Sequence, residues 1–194
     1  MPTIKILAFA GSSRKESYNK KLVKIAAEGA RARGAEVMFI DLADLSMPIY
    51  DEDLEKRDGM PPNARKFKDL LIAHHGFLIS SPEYNSSISA LLKNCIDWAT
   101  RPQVGVTEPP LVAFSGKVAA LMSASPGALG GLRGLVTLRM ILGNIHTVVI
   151  PDQVAIVKAH ESFNADGTLK DEKQRASVGA LGQKVVTLAA KLHG

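Results

Sequence analysis

Five short apolar runs, at 3–10, 36–41, 76–81, 118–123 and 146–150, alternate with segments whose apolar residues recur at helical spacing. That alternation excludes most folds. A short run that is apolar at consecutive positions is buried on both faces, and such a strand belongs in a parallel sheet covered by helices. The segments between the runs supply the crossovers that parallel strands require. Leu22, Val23, Ala26, Ala27 and Ala30 mark the first helix, which Gly34 ends. Phe67, Leu70, Leu71 and His74 mark the second. Ile88, Leu91, Leu92, Cys95, Ile96 and Ala99 form the stripe of a third, predicted over 88–100. Leu132, Val136, Met140 and Ile141 mark a fourth, and Val178, Leu181, Val185, Leu188 and Leu192 a fifth.

Right-handed crossovers leave few topologies for five such units. Five strands fit a three-layer, flavodoxin-like α/β fold of order 2-1-3-4-5, with helices on both faces, better than the six-stranded dinucleotide fold. The chain has 194 residues, 46% of them hydrophobic, which suits one domain over 1–194 with a full core. Three stretches read as irregular: 46–62, 101–116 and 151–170. Loops of that length usually cover a site or join subunits.

No apolar run approaches the ~18 residues that span a bilayer. The first run is too short for a secretory core and lacks a cationic leader, so it reads as the first strand. Cys95 is the only cysteine. An internal disulfide and a cysteine-bound cluster or zinc are thereby excluded, and a reducing cytoplasm is the expected compartment. The net charge is +5. Its lysines and arginines are scattered and its aromatics few, which argues against nucleic acid and for a mild attraction of anionic small molecules.

In open parallel sheets, ligands bind at the carboxyl ends of the strands. The first strand ends in Gly11-Ser12-Ser13-Arg14-Lys15-Glu16-Ser17-Tyr18-Asn19, and a helix starts inside that loop. Free amides, the positive end of the helix dipole, the hydroxyls of Ser12, Ser13 and Ser17, and the planar cation of Arg14 together suit a phosphate. Neither G-x-G-x-x-G nor a G-K-[ST] ending is present, so a monophosphate such as that of FMN fits better than a di- or triphosphate. The simpler alternative is a plain N-cap by Ser17 with Arg14 in solvent. The third strand leads into Pro82-Glu83-Tyr84-Asn85, whose Tyr and Asn can meet a flat polar ligand edge-on. The fourth leads into Ser123-Ala124-Ser125-Pro126, where Gly127, Gly130 and Gly131 either let backbone approach a ligand or simply make a tight turn. All three loops fall on one rim of the sheet.

These residues resemble the NADPH-dependent FMN reductase family, particularly its quinone and chromate reductase branch. The resemblance is carried by G-S-S-R-x-x-S-x-N at 11–19, P-E-Y-N-x-S-I at 82–88, L-K-N-x-I-D-W at 92–98 and S-A-S-P-G-x-x-G-G-x-R at 123–133. It implies non-covalent FMN, with NADPH or NADH as reductant and quinones or similar small molecules as acceptors. Both substrates would use one site in turn, by a ping-pong cycle. It also implies a homodimer or homotetramer. The residues expected to hold the cofactor are Ser12, Ser13, Arg14, Ser17, Tyr18 and Asn19 in the first loop, Pro82, Glu83, Tyr84 and Asn85 in the second, and Ser123, Ala124 and Ser125 in the third. Amides of the Tyr84–Asn85 turn and of 123–125 are the expected partners of the reduced flavin. The chemistry belongs to the flavin, so no catalytic side chain and no metal are expected. One departure stands out: Ser89-Ala90 replaces the family's usual Pro-Gly, which predicts a slightly looser helix start.

The alternatives are a flavodoxin-type electron carrier, a flavin-bound redox regulator, and a phosphate-binding signalling domain of the same fold. The basic charge and Arg14 argue against the first, and the third needs an acidic cluster where Gly11-Ser12-Ser13-Arg14 stands. Elsewhere, Cys95 reads as an inert buried thiol, His74-His75 as no metal site, Asp51, Glu52 and Asp53 as a solvated loop, and Asp97 with Trp98 as packing. Arg133 suits either a carboxylate across an interface or the 2′-phosphate of NADPH.

Overall fold

A computed structural model describes residues 3–103 and 105–194, so position 104 of the 101–116 stretch lies outside it. Five parallel strands form one sheet in the order β2-β1-β3-β4-β5, as the alternation predicts. They are β1 (Lys5–Ala10), β2 (Glu36–Asp41), β3 (Gly76–Ser80), β4 (Val118–Ala124) and β5 (Val148–Ile156). Every residue of β3 and β4 is buried, which is why their sequences show no polar alternation.

The two faces of the sheet carry separate cores. Ile6, Ala8 and Ala10 of β1 face α1 (Tyr18–Ala32) and α7 (Glu172–His193), through Val23, Ala26, Val178 and Val185. Leu7 and Phe9 face the opposite layer, built by α3 (Pro62–Ala73), α4 (Ala90–Ala99) and α5 (Leu132–Asn144). This period of two is the strand alternation itself.

The structure corrects the sequence reading at five places. First, β5 begins at Val148 and extends to Ile156, so the start of the expected loop 151–170 is strand. Pro151 is tolerated because β5 is an edge strand with a register shift opposite Ala119–Leu121. Arg139 bridges the irregularity, donating to the Ile150 carbonyl at 2.8 Å and to Gln153 Oε1 at 3.0 Å. A short helix, α6 (Ala159–Ser162), follows. Second, the 46–62 stretch holds α2 (Glu52–Asp58), capped by Asp51, which accepts from Asp53 N and Leu54 N. The acidic trio is therefore an exposed helix start and not a loop.

Third, α4 begins at Ala90 and not at Ile88. Fourth, Ser89 is its N-cap and the start is not loosened. The Ser89 hydroxyl accepts from Leu92 N at 3.2 Å and donates to the Gly11 carbonyl at 2.6 Å, tying α4 to the first loop. Fifth, α5 turns Leu135, Leu138 and Leu142 inward, while Leu132, Val136 and Met140 are 41%, 64% and 67% exposed.

Candidate functional site

The first, third and fourth strand-end loops meet around an open cleft of about 180 Å³ at the carboxyl edge of the sheet. Ser12, Arg14, Ser17, Tyr18 and Asn19 line one side, Pro82, Glu83 and Tyr84 another, and Ala124 and Ser125 the third. Three expected residues stand elsewhere. Ser13 is exposed outside the cleft, and Asn85 lines an adjoining hollow with Arg133 and Gly127. Ser123 is fully buried in β4, and its Oγ has no hydrogen-bond partner. Pro126 lines the cleft too, although only its neighbours 123–125 were expected to.

At one end of the cleft stands the N-terminus of α1. Ser17 occupies the N-cap position of α1 but makes no side-chain capping bond, so the plain-cap alternative does not hold. Its side chain is largely buried and lines the cleft. The N–H groups of Ser17, Tyr18 and Asn19 have no acceptor among the described residues, and the first turn carries no acid. A 15-residue helix thus aims an uncompensated positive end into the cleft. Arg14 rests beside it, its guanidinium 5.4 Å from the Tyr18 ring centre and donating to the Glu16 carbonyl at 2.7 Å. Tyr18 is held in turn by stacking on Phe163, with centroids 5.5 Å apart.

Asn19 fixes the three loops relative to one another. Its Oδ1 accepts from Ser80 Oγ at 2.8 Å and from Ala124 N at 3.0 Å, and its Nδ2 donates to the Ala124 carbonyl at 2.9 Å. Its amide is engaged with the ends of β3 and β4, so it acts on the cleft by holding its walls.

The other end is a tight turn. Tyr84 N donates to the Ser87 carbonyl at 2.9 Å and Ser87 N returns a bond to Tyr84 O at 3.0 Å. Asn85 and Ser86 between them have φ of 51° and 67°, the left-handed pair of a type I′ turn. The turn leaves Tyr84 58% exposed at the mouth. Of the amides expected to serve the flavin, those of Tyr84, Ala124 and Ser125 are already bonded within the chain, the last to Ile156 O at 3.1 Å. The Asn85 N–H has no acceptor among the described residues.

Glu83 turns away from the solvent onto α5. Its Oε2 accepts from Arg133 N at 3.1 Å and Gly134 N at 3.3 Å, and its Oε1 from Arg133 Nε at 2.7 Å. Burial works to raise the pKa of Glu83. The hydrogen bonds from Arg133 and Gly134 outweigh it and hold the carboxyl below the usual range. The partner of Arg133 is thus a carboxylate of its own chain.

The cleft thus has free helix amides and Arg14 at one end, a polar turn at the other and an open mouth. A family model described as NADPH-dependent FMN reductase matches residues 4–161. The chain belongs to the NADPH-dependent FMN reductase family. An NAD(P)H-dependent FMN reductase of Pseudomonas aeruginosa is 37% identical, the match covering 98% of each chain. An NAD(P)H:quinone oxidoreductase of Solanum tuberosum is 35% identical, over 100% of this chain and 96% of that one. Among solved structures, the flavoenzyme NAD(P)H:(acceptor) oxidoreductase of Paracoccus denitrificans superposes with a TM-score of 0.79 at 31% identity, covering 97% of this chain and 98% of that one.

The remaining reactive side chains have structural surroundings. Cys95 is fully buried on α4, its thiol pushed up to about 12 by burial. Trp98 is buried and donates to the Pro48 carbonyl at 2.9 Å. His75 Nδ1 accepts from Lys5 N at 2.9 Å. Among the described residues no group of three or more His, Cys, Asp or Glu is placed to hold a metal. No helix there is long and apolar enough to cross a membrane.

Proposed function

We propose that the cleft holds FMN non-covalently and that the protein is an NAD(P)H-dependent oxidoreductase delivering two electrons to quinones or similar acceptors. The observation that carries this is the uncapped Ser17 at the free N-terminus of α1, opening into a cleft whose far wall is the Tyr84–Ser87 turn. Bound there, FMN supplies the redox chemistry, accepting a hydride from NADPH or NADH and passing the electrons on.

The chain supplies binding and exclusion. The amides of Ser17, Tyr18 and Asn19, the hydroxyls of Ser12 and Ser17, and Arg14 hold the phosphate. Arg14 can turn toward it from the Tyr18 ring without breaking an ion pair, since its bond is to a carbonyl. Pro82 and Tyr84 would border the ring on one side and Ala124 with Ser125 on the other, and the free Asn85 N–H, beside the cleft, would be a donor for its polar edge. The open mouth beside Tyr84 admits a second flat molecule, so reductant and acceptor take the same place in turn.

The protein acts as a homodimer or homotetramer in the cytoplasm. Support for self-association comes from the exposed stripe of Leu132, Val136 and Met140, spaced four apart on α5. Support for a reducing compartment comes from the single, buried thiol. Metal oxyanions such as chromate are further acceptors, as expected of an exposed reduced flavin. The test is steady-state kinetics with NADPH and a benzoquinone on the FMN-loaded protein. Parallel lines in two-substrate plots support the shared place, and intersecting lines refute it.

A further inference from the structure

We propose that Glu83 is a positioning residue: its carboxylate, seated on the N-terminus of α5, holds the Tyr84–Ser87 turn in the left-handed form that walls the cleft. Through that turn, and resting on the flavin reading of the cleft, it sets how tightly the flavin is held.

The turn needs an outside anchor. A type I′ turn favours Asn-Gly at its centre, because both central residues are left-handed and glycine bears that at no steric cost. Here the pair is Asn85-Ser86, and Ser86 sits at φ 67° with a Cβ. The two Tyr84–Ser87 bonds close the turn but do not fix it to the elements around it. Two contacts tie it to α5. One is Glu83, on the residue entering the turn. The other is the backbone leaving it: a Cβ at Gly134 would lie 3.0 Å from Ser87 O and 3.4 Å from Glu83 Cα, so turn and helix pack closely where a side chain would crowd them.

The carboxylate is the essential member of the pair. The N-cap residue of α5 is Gly131, which has no side chain to cap it, and the first turn carries no acid. Glu83, 50 residues away from Arg133 in sequence, supplies the missing acceptor for two free amides. The Glu83 side chain is 9% exposed and that of Arg133 59%, so the anion is sequestered while its cation sits in water. The Arg133 side chain adds its own bond to Oε1, at 2.7 Å from Nε. Removing the carboxylate removes the cap and the pair together, whereas removing the Arg133 side chain leaves the cap.

The test uses Glu83→Ala, Arg133→Gln, Ser86→Gly and the double variant E83A/S86G. FMN dissociation constants come from fluorescence quenching. Hydrogen exchange of the 83–88 segment is followed in flavin-free protein. E83A, which removes the acceptor of both amides, is expected to weaken FMN about tenfold, the weight of a helix cap, and to speed exchange of the segment. R133Q keeps both capping bonds and is expected to cost less, about threefold. S86G in the E83A background should recover most of both losses, because glycine removes the strain that Glu83 opposes. General loss of α5 would not be rescued at position 86. Gly134→Ala, whose added carbon crowds Ser87 O and the Glu83 backbone but leaves the carboxylate in place, should move both readouts the same way and serves if E83A does not fold. Unchanged exchange in E83A, no rescue by S86G, or an R133Q effect equal to that of E83A would each overturn the proposal. If the wild-type protein takes up no FMN, the reading of the cleft fails, and exchange alone decides the role of Glu83.

Discussion

Asn19 and Ala124 are joined by two hydrogen bonds across 105 residues of sequence, Asn19 Nδ2 to the Ala124 carbonyl at 2.9 Å and Ala124 N to Asn19 Oδ1 at 3.0 Å. A side chain in the first turn of α1 thereby completes the hydrogen bonding of a strand end and sets the width of the cleft. Asn19→Ala leaves the buried donor and acceptor of Ala124 unpaired. It is expected to cost about 2 kcal/mol of stability and to weaken FMN, measured by denaturant unfolding and by flavin titration. Asn19→Asp should be no better, because a carboxylate cannot donate to the Ala124 carbonyl.

Ser17→Ala separates binding from stability. No capping bond exists to lose, so unfolding free energy should change by less than about 0.5 kcal/mol. FMN should bind about tenfold more weakly, whereas riboflavin, which lacks the phosphate, should bind the variant and the wild type alike. Arg14→Ala should show the same preference. Equal losses for FMN and riboflavin would move the phosphate away from α1.

Low pH should destabilise the fold through His75. Burial, and then the charges of His193, Lys117, His74 and Lys5, hold its pKa below the ordinary value. The folded state thus prefers neutral imidazole, whose Nδ1 accepts from Lys5 N. Stability is full above the unfolded-state pKa of about 6.5 and falls as pH drops from there toward the folded pKa, because only the unfolded chain takes up the proton. Melting temperatures across that range should slope downward for the wild type and less steeply for His75→Gln. The depressed pKa of Glu83 adds a loss of the same sign at more acidic pH, as its carboxylate is protonated.

Met140→Glu and Val136→Glu place charge on the exposed face of α5. Light scattering should show the assembly dissociating while the monomer keeps its fold, since neither residue is buried within the chain. An unchanged mass would place any self-association on another surface.

Much of this was legible locally. The strand order followed from counting βα units, and the three strand-end loops from polar residues after apolar runs. What the sequence hid is tertiary. Pro151 reads as a break, yet β5 runs through it, because the register shift and the support of Arg139 come from other elements. α5 is apolar on two faces, so periodicity alone could not say that Leu135 and Leu138 point inward and Val136 outward. Ser123 shares a face of β4 with Leu121 and lies beneath Gly131, whereas Ala124, one residue on, reaches the cleft. Ser89 looked like a lost proline and is a cap with two bonds. Glu83 carried a cofactor-binding motif, but its partner on α5 could not be read from the motif.

The most direct measurement is the visible absorption spectrum of the purified protein supplied with FMN and then titrated with NADPH without oxygen. The account predicts that FMN is retained on desalting and that its oxidised band bleaches within seconds of adding NADPH, returning when a quinone is added. Protein that retains no FMN would contradict the reading of all three loops, and retained flavin that NADPH does not bleach would make it a carrier or a regulator instead of a reductase.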